Sequence, residues 1–500
     1  MRWGLLGLAI LATLIAVLIT EENWRGKRDW EAYKREAEAR GERFDWLAFA
    51  PTNIPEDQNF VKAPVFSNLW AMEWDAQAQD WKSNTSNTAD RLRMFPYRHD
   101  GGWPTNVDGA WDRGRLSRLE GWQDYYRSGA TNGVGEFPVA SQPQSPAADV
   151  LLALSKFAPA IEELRAASQR PCSRFGVFSA DDTQGFGLLT QYLVRLKGCA
   201  QVLQLRAIAE LNDNQSTQAL DDIRLLLRLG DLLRQEPLLI EHLVGIAITA
   251  ITLQPIYEGL AQHRWNEAQL AELDRALATE DFLADYRFAM RGERTLAIDS
   301  FENQRITRKY KTVEVIDGKP RETTINMHLM PSAYFYQNEL TFAQMHRQLI
   351  LPLVDLTNRI APPAALRQAQ AAVQAQTKHY SPYKVQALML FPAVSTSVIK
   401  FANIQTDVDL ARVACALERY RLAHGEYPKT LDALAPQFNE TLPHDVINGQ
   451  PLHYRRADDG QFVLYSVGWN EKDDGGTVVL TKVGTVDRES GDWVWQYPAK

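Results

Sequence analysis

The sequence predicts a mainly α-helical protein with an N-terminal transmembrane helix, a body that is a helical bundle or irregular solenoid, and a C-terminal α+β domain. Three observations support this fold class. An uncharged apolar segment occupies 3–20, and apolar residues recur at three- and four-residue spacing through most of 149–380. Short apolar strands separated by turn residues follow a long helix after 395. A chain of 500 residues is long enough for several domains.

The first segment, WGLLGLAILATLIAVLIT from Trp3 to Thr20, carries no charge. As a helix it would extend roughly 27 Å, which is enough to cross the hydrocarbon core of a bilayer. It continues directly into Glu21 and Glu22, without the small-residue site at which a signal peptide is cleaved. We therefore expect residues 1–20 to form an uncleaved, single-span anchor.

The charges beside the anchor bear on its orientation. Arg2 alone precedes the apolar segment, whereas six Lys and Arg residues follow it within 21–40. Because Lys and Arg concentrate on the cytoplasmic side of membrane proteins, this count places the bulk of the chain in the cytoplasm. The spacing of Trp30, Tyr33 and Ala37 predicts a juxtamembrane helix within 21–45.

Residues 46–148 are rich in Trp and interrupted by Pro, Gly and Asn, which predicts irregular structure ending in a linker. Two interpretations of the aromatic side chains are open. They could form a stacking surface for carbohydrate, or they could be packing anchors of a loop-rich segment, which is the commoner role. The residues concerned are Trp70, Trp74, Trp81, Trp103, Trp111 and Trp122.

The segment 149–380 predicts antiparallel helices joined by short loops. Between His242 and Gln254 it holds an apolar run of eleven residues, which is shorter than a membrane span and therefore predicts a core helix. Near 311–327 the stretch KTVEVIDGKPRETTIN alternates in the manner of strands around an Asp-Gly turn, so we expect a β-hairpin inserted among the helices.

Residues 395–500 predict a long helix packed on a small antiparallel sheet. Gly425 is placed to end the helix in a left-handed conformation, and Pro428 prevents the helix from resuming. The strands are PLHYRR, QFVLYSV and TVVLTKV. The apolar stripe of the helix comprises Leu410, Val413, Ala414, Leu417 and Tyr420.

This C-terminal unit resembles the globular head of type IV pilins and of the major pseudopilins of type II secretion. The resemblance is carried by ALERYRLAHGEYPKTLDAL and by LPHDVINGQPLHYRRADDGQFVLYSVGWNEKDDGG. The processing signal of that family is missing from this N-terminus, so the unit resembles a pilin head used as a domain. The resemblance implies that the bulk of the chain lies outside the inner membrane, against the Lys and Arg count.

The whole chain also resembles large membrane-anchored proteins of Planctomycetes and Verrucomicrobia, through ENWRGKRDWEAYKREAEARGERFD and IPEDQNF. This second resemblance implies membrane attachment and no particular activity.

In pseudopilins the loop after Tyr-Ser-x-Gly binds calcium, and the resemblance implies a corresponding site here. The candidate ligands are the Val467 carbonyl, Asn470, Asp473 and Asp474, with Glu471 beside them, and oxygen ligands of this kind suit Ca²⁺. Asn470 stands where that family usually has Asp, which removes one charge. The alternative is a solvated acidic loop that binds no metal.

Charge and motifs exclude several functions. A net charge of −8 argues against nucleic acid as the main partner, and the sequence contains no Gly-x-Ser-x-Gly, phosphate-loop, His-Glu-x-x-His or Cys-x-x-Cys motif. The sequence also leaves open whether Cys172 and Cys199 pair or remain free thiols.

These observations predict a membrane-anchored, extracytoplasmic structural or interaction protein. It would present the pilin-like head to a protein partner in secretion or envelope assembly, and we expect it not to be an enzyme. The alternative is an envelope hydrolase or glycan-binding protein that uses the Trp-rich region or a cleft in the helical domain.

Overall fold

The computed structural model describes residues 2–49, 54–75, 80–83, 91–98, 102–105, 107–131, 136–176, 183–316, 319–377 and 381–498. Within these residues the chain is mostly helical, with a small antiparallel sheet near the C-terminus, as the sequence predicts. The α-helices are α1 Arg2–Ala39, α2 Ser67–Trp70, α3 Leu119–Thr131, α4 Pro146–Leu154, α5 Ala158–Ser168, α6 Thr183–Asn212, α7 Ser216–Leu233, α8 Leu239–Ala261, α9 Glu267–Leu277, α10 Phe282–Thr307, α11 Ser332–Met345, α12 Pro363–Thr377, α13 Val385–Ser395 and α14 Ser397–His424. The strands are β1 Met72–Asp75, β2 Asp80–Ser83, β3 Lys309–Ile316, β4 Lys319–Asn326, β5 His453–Arg456, β6 Phe462–Ser466, β7 Val478–Leu480, β8 Val486–Gly491 and β9 Trp493–Gln496.

Helix α1 joins the predicted anchor and the juxtamembrane helix in one continuous element. Its apolar first half is exposed, and its second half packs along α11. The side chain of Asn23 accepts a hydrogen bond from the Ala333 N–H at 2.7 Å, and the Tyr33 hydroxyl donates to the Ala343 carbonyl at 3.3 Å. Because both contacts join residues 310 positions apart, α1 and α11 run parallel and in step.

Helix α14 lies at the centre of the molecule. It packs against α8, α9 and α10 on one side and against β6 and β9 on the other, and all of these elements contribute to one hydrophobic core. The helix is therefore buried beyond the apolar stripe that the sequence predicts, and even Asp407 and Glu418 are inaccessible to solvent. The residues on either side of position 395 share this core.

The C-terminal sheet differs from the predicted one in its third strand. Strand β6 pairs with β5 and with β9, whereas β7 from the stretch TVVLTKV forms a separate hairpin with β8. The reason lies in the side chains. Trp493 and Trp495 of β9 bury large apolar surfaces in the core, while Leu480 of β7 stays exposed.

Other local predictions are confirmed. Strands β3 and β4 form the hairpin expected near 311–327, although its turn residues lie outside the described part. Gly425 adopts a φ of 85° and ends α14. All three cysteines are free, so Cys172 and Cys199 do not pair.

Three helical stretches of the described chain are long and apolar enough to cross a membrane, namely Trp3–Ala39, Leu239–Ala261 and Pro382–His424. The most apolar window of the first is 0% buried in the protein, against 56% and 50% for the other two. Helix α8 also carries buried Gln254 and Glu258, whose side chains accept hydrogen bonds from the backbone of Trp111 and Ser117. These contacts place α8 in the protein core, and α14 of the third stretch is packed between helices and strands. Of the three stretches, α1 has the apolar window with no buried residue.

Candidate functional site

A pocket of about 680 Å³ opens where the end of α1 meets α10 and the segment that follows α11. Two carboxylates, Glu42 and Asp355, lie in its wall. Six arginines line the same pocket: Arg40, Arg43, Arg287, Arg291, Arg294 and Arg347. In a chain with a net charge of −8 this is a marked local excess of positive charge.

Helix α10 supplies three of these arginines through its regular geometry. Arg287, Arg291 and Arg294 are spaced by four and three residues, so they share one face of the helix. The neighbouring face carries apolar side chains, including Tyr286 and Met290, which are buried in the core. Packing of the apolar face therefore turns the basic face toward the pocket.

The end of α1 supplies two more of the arginines that line the pocket. Gly41 adopts a φ of 86°, a left-handed conformation that glycine reaches without strain, and the Glu42 N–H turns back to the Ala37 carbonyl at 3.0 Å. This turn brings Arg40 and Arg43 to the rim of the pocket.

Arg347 is held by an unusual backbone. Residues His346–Ile350 form a π-helix, a rare element that is frequent at functional sites, and Pro352 in the next turn lacks the N–H needed to continue it. The Tyr286 hydroxyl donates to the Ile350 carbonyl at 3.0 Å and fixes the end of this turn against α10.

Both carboxylates of the pocket are already occupied by the protein. Glu42 accepts a hydrogen bond from Arg294 and lies 3.7 Å from Arg40 and 3.9 Å from Arg347, so three arginines share it. Asp355 caps its own turn by accepting from two backbone N–H groups and the Asn358 amide, and these hydrogen bonds hold the pKa of Asp355 below its usual value.

The remaining arginines are left without carboxylate partners. Within the described part of the chain, the guanidinium groups of Arg43, Arg287 and Arg291 make no hydrogen bond or ion pair. The Nε atoms of Arg287 and Arg294 are buried without a hydrogen-bond partner among the described residues, and Arg294 itself is 1% exposed. The guanidinium groups of Arg43 and Arg291 are instead exposed to the pocket. Because guanidinium groups bind phosphate and carboxylate oxygens in pairs, the pocket is suited to an anion with several oxygen atoms.

The predicted calcium ligands lie in a different place, on the loop after β6. The Asn470 amide donates to Asp474 at 2.8 Å, and Asp473 accepts from the Tyr465 hydroxyl at 3.0 Å. Val467 is buried, and its N–H donates a hydrogen bond to the Asp445 carboxylate. Glu471 forms an ion pair with Arg367 of α12. The residues that the structure describes contain no group of three or more His, Cys, Asp or Glu side chains able to hold a metal. Calcium binding at this loop stays a prediction.

Of the tryptophans predicted either to pack or to form a carbohydrate surface, some are buried and one is exposed. Trp111 and Trp122 are buried in the cores, and Trp70 packs against Phe175, whereas Trp103 is 67% exposed beside Tyr97. The side chains of the other two, in β1 and β2, lie outside the described part.

A smaller cavity of about 200 Å³ opens between this Trp-rich segment and helix α6. Tyr97 and Trp122 form its aromatic side, and Asp108, Gln201 and Gln204 contribute polar groups. An aromatic wall facing amide and carboxylate groups has the chemistry that neutral sugars require.

Sequence reasoning missed the arginine pocket. The spacing R-x-x-x-R-x-x-R on α10 was a visible signal, but solvated faces of helices often carry such runs. The other arginines come from positions far away in the chain, so only the tertiary fold brings the set together.

Comparison of the chain with protein-family models, with curated proteins and with solved structures finds no match.

Proposed function

We propose that this protein is a membrane-anchored interaction protein that binds a soluble anionic ligand, bearing phosphate or carboxylate groups, in the arginine pocket. The observation that carries the proposal is the set of three guanidinium groups, those of Arg43, Arg287 and Arg291, that line one cavity and pair with no carboxylate among the residues that the structure describes. Guanidinium groups bind phosphate and carboxylate oxygens in pairs, and each such contact is stronger than a neutral hydrogen bond.

The position of the pocket favours a soluble ligand over a lipid headgroup. The apolar segment ends at Thr20, and α1 continues for another nineteen residues before the turn at the pocket. At 1.5 Å per residue this separates the pocket from the end of the anchor by roughly 30 Å. A headgroup at the membrane surface would not reach it.

The pocket is also a junction. Arg40 and Arg43 belong to the end of the anchor helix, whereas Arg287 and Arg291 belong to α10 of the body. An anion held between the two sets would tie the body to the helix that anchors it. We assign the protein ligand binding and no catalytic step.

The remaining parts of the proposal rest on the sequence. The order of motifs in 395–500 supports a pilin-like head that meets a protein partner, and the same resemblance supports an extracytoplasmic body in the cell envelope. A role in secretion or envelope assembly would follow from that location.

The test is thermal melting of the full-length protein in detergent with inorganic phosphate, pyrophosphate and citrate. A ligand that binds only the native state raises the melting temperature, by an amount equivalent to about 2.7 kcal/mol at a hundredfold excess over Kd. Equal melting temperatures with sodium chloride of matched ionic strength and with all three anions would refute the proposal.

A second candidate function, sugar binding, is favoured by the aromatic cavity at Tyr97 and Trp122. A neutral monosaccharide such as glucose, whose single ring matches a cavity of about 200 Å³, should then quench tryptophan fluorescence, and Gln201→Ala should weaken the effect. The absence of quenching at millimolar sugar would remove this candidate and leave the arginine pocket unaffected.

A further inference from the structure

The end of the body from which the anchor projects carries exposed apolar side chains. Leu329 is 96% exposed, and Ile306, Ile325 and Met330 are exposed beside it. They belong to three successive elements, the last turn of α10, the end of β4 and the segment leading into α11. We call these four residues the collar.

The parallel packing of α1 and α11 fixes the height of the collar along the anchor. Asn23 is level with Ala333 through their hydrogen bond at 2.7 Å, and Gly26 allows close contact at the same level because a Cβ there would lie 3.3 Å from the Ala333 Cα. Met330 lies two residues before the start of α11, and because α1 and α11 are parallel, this start is the end of α11 that lies toward the apolar segment of α1.

Arg308, at the end of α10, is hydrogen-bonded to the segment that leads into α11. Its guanidinium donates to the Met330 carbonyl and to the Ser332 hydroxyl, both at 2.7 Å, and its own carbonyl accepts from the Met327 N–H at 2.9 Å. The end of α10, the base of the hairpin and the start of α11 are therefore held together around the point where α1 leaves the body.

The side chains around the collar are those found at a membrane surface. Trp24 of α1 is exposed with Arg28 over its ring, and Lys309, Lys311 and His328 are exposed near the apolar residues. Aromatic and basic side chains are enriched at the boundary between lipid and water, and basic groups are attracted to anionic lipid. Acidic residues are present as well, since Glu21 and Glu22 of α1 lie at this level and pair with Arg25.

We propose that the collar rests in the interfacial layer of the bilayer that α1 crosses, as a second membrane contact. The occupant is lipid, because α1 brings this face to the bilayer surface and no described residue covers Leu329. The inference rests on α1 being inserted, and it is independent of the arginine pocket. With two contacts the body cannot tilt freely, so the pocket stays at a fixed height above the membrane.

The test is spin-label accessibility on the full-length protein in nanodiscs of phosphatidylcholine and phosphatidylglycerol. Cys199 and Cys415 are buried, so a Cys172→Ser background leaves no readily labelled native thiol. Three single variants are compared: Leu11→Cys within the anchor, Leu329→Cys in the collar, and Val483→Cys, an exposed apolar position after β7. Accessibility to oxygen relative to a water-soluble nickel complex reports the depth of each label.

We expect the label at 11 to be deep in lipid, the label at 329 to be at the interface and the label at 483 to be in water. If the label at 329 is in water, as the label at 483 is, while the label at 11 is deep in lipid, then the anchor is inserted and the collar proposal is overturned. If 11 is also in water, the membrane anchor itself is refuted. A second measurement uses a spin label at Ile306→Cys. The double substitution Leu329→Glu and Met330→Glu should move this label out of the interface. An unchanged depth of the label would contradict the proposal that the collar contacts lipid.

Discussion

Glu42, just past the end of α1, accepts a hydrogen bond from Arg294 of α10, a guanidinium that is almost completely buried. Arg294 also donates to the Arg43 carbonyl at 2.8 Å and lies over the Phe44 ring at 4.5 Å. Because these contacts join residues about 250 positions apart, they fasten the end of α1 to the body. The same two residues line the arginine pocket.

Replacing Glu42 should therefore destabilise the folded body. Glu42→Ala would leave the buried Arg294 charge without its carboxylate, and we expect a loss of roughly 1–3 kcal/mol in unfolding free energy. Glu36→Ala is the matched control, since Glu36 is an exposed partner of Arg40. Urea unfolding of the full-length variants in detergent measures the unfolding free energy of each. Equal unfolding midpoints for the Glu42 and Glu36 variants would contradict the assigned role of Glu42.

A second prediction concerns acid stability and His346. Burial, together with the charge of Arg294, lowers the pKa of this imidazole to about 3, whereas an unfolded histidine titrates near 6.5. The unfolded chain therefore binds more protons between these values, so stability falls as the pH decreases below about 6.5. This group alone contributes at most about 1.4 kcal/mol per pH unit.

His346→Leu should reduce that dependence. We expect its melting temperature to decrease less between pH 7 and pH 5 than that of the unmodified protein. His424→Leu, at an exposed position, serves as the control for the substitution itself. An identical slope in the His346 variant would mean that this side chain does not remain neutral in the folded state.

Anion binding itself should depend little on protein titration near neutral pH. The guanidinium groups stay charged throughout, and His346 stays neutral, so sulfate, whose own charge is constant, should bind equally well at pH 6 and pH 8. Sulfate titrations at the two pH values check this. A several-fold change in affinity would point to a titrating group outside the arginine set.

The orientation of the chain is a separate prediction. An extracytoplasmic body requires that alkaline phosphatase fused after Lys500 be active and that a cytosolic reporter at the same position be silent. The Lys and Arg count beside the anchor predicts the reverse. Activity of the cytosolic reporter would place the whole body in the cytoplasm.

Calcium binding at the loop after β6 can be decided by melting the full-length protein in calcium and in chelator. Asp473→Ala should abolish any calcium-dependent increase, because this carboxylate is one of the proposed ligands. Superimposable melting curves in millimolar calcium and in chelator would leave the loop as a solvated acidic turn.

Local signals in the sequence were sufficient for some elements and not for others. The apolar helix at the N-terminus, the hairpin near 311–327 and the end of α14 at Gly425 follow from composition, turn residues and φ preference, all of which act over a few residues. The replacement of β7 by β9 in the sheet was not predictable in this way, because it depends on which side chains reach the core. Trp493 and Trp495 of β9 bury more apolar surface in the core than the side chains of β7 could, and so β9 takes the place beside β6.

The arginine pocket illustrates the same limit. Arg287, Arg291 and Arg294 are recognisable as one helix face, but the sequence does not tell whether that face meets solvent or a cavity. Arg43 and Arg347 join them only through the turn at Gly41 and the π-helix, and neither has a sequence pattern that specifies its neighbours.

The central claim, that an anion binds between the anchor helix and α10, is tested most directly by calorimetric titration of the full-length protein with pyrophosphate. Arg291 is the variant of choice because its side chain is exposed and forms no ion pair with any described residue, so Arg291→Ala should fold normally. Loss of one charge-assisted contact should weaken binding about tenfold or more. Arg224→Ala on α7, whose guanidinium pairs with Asp221 and Glu272, should bind as the unmodified protein does. Equal affinities of the Arg291 and Arg224 variants, or no heat of binding in the unmodified protein, would contradict the account.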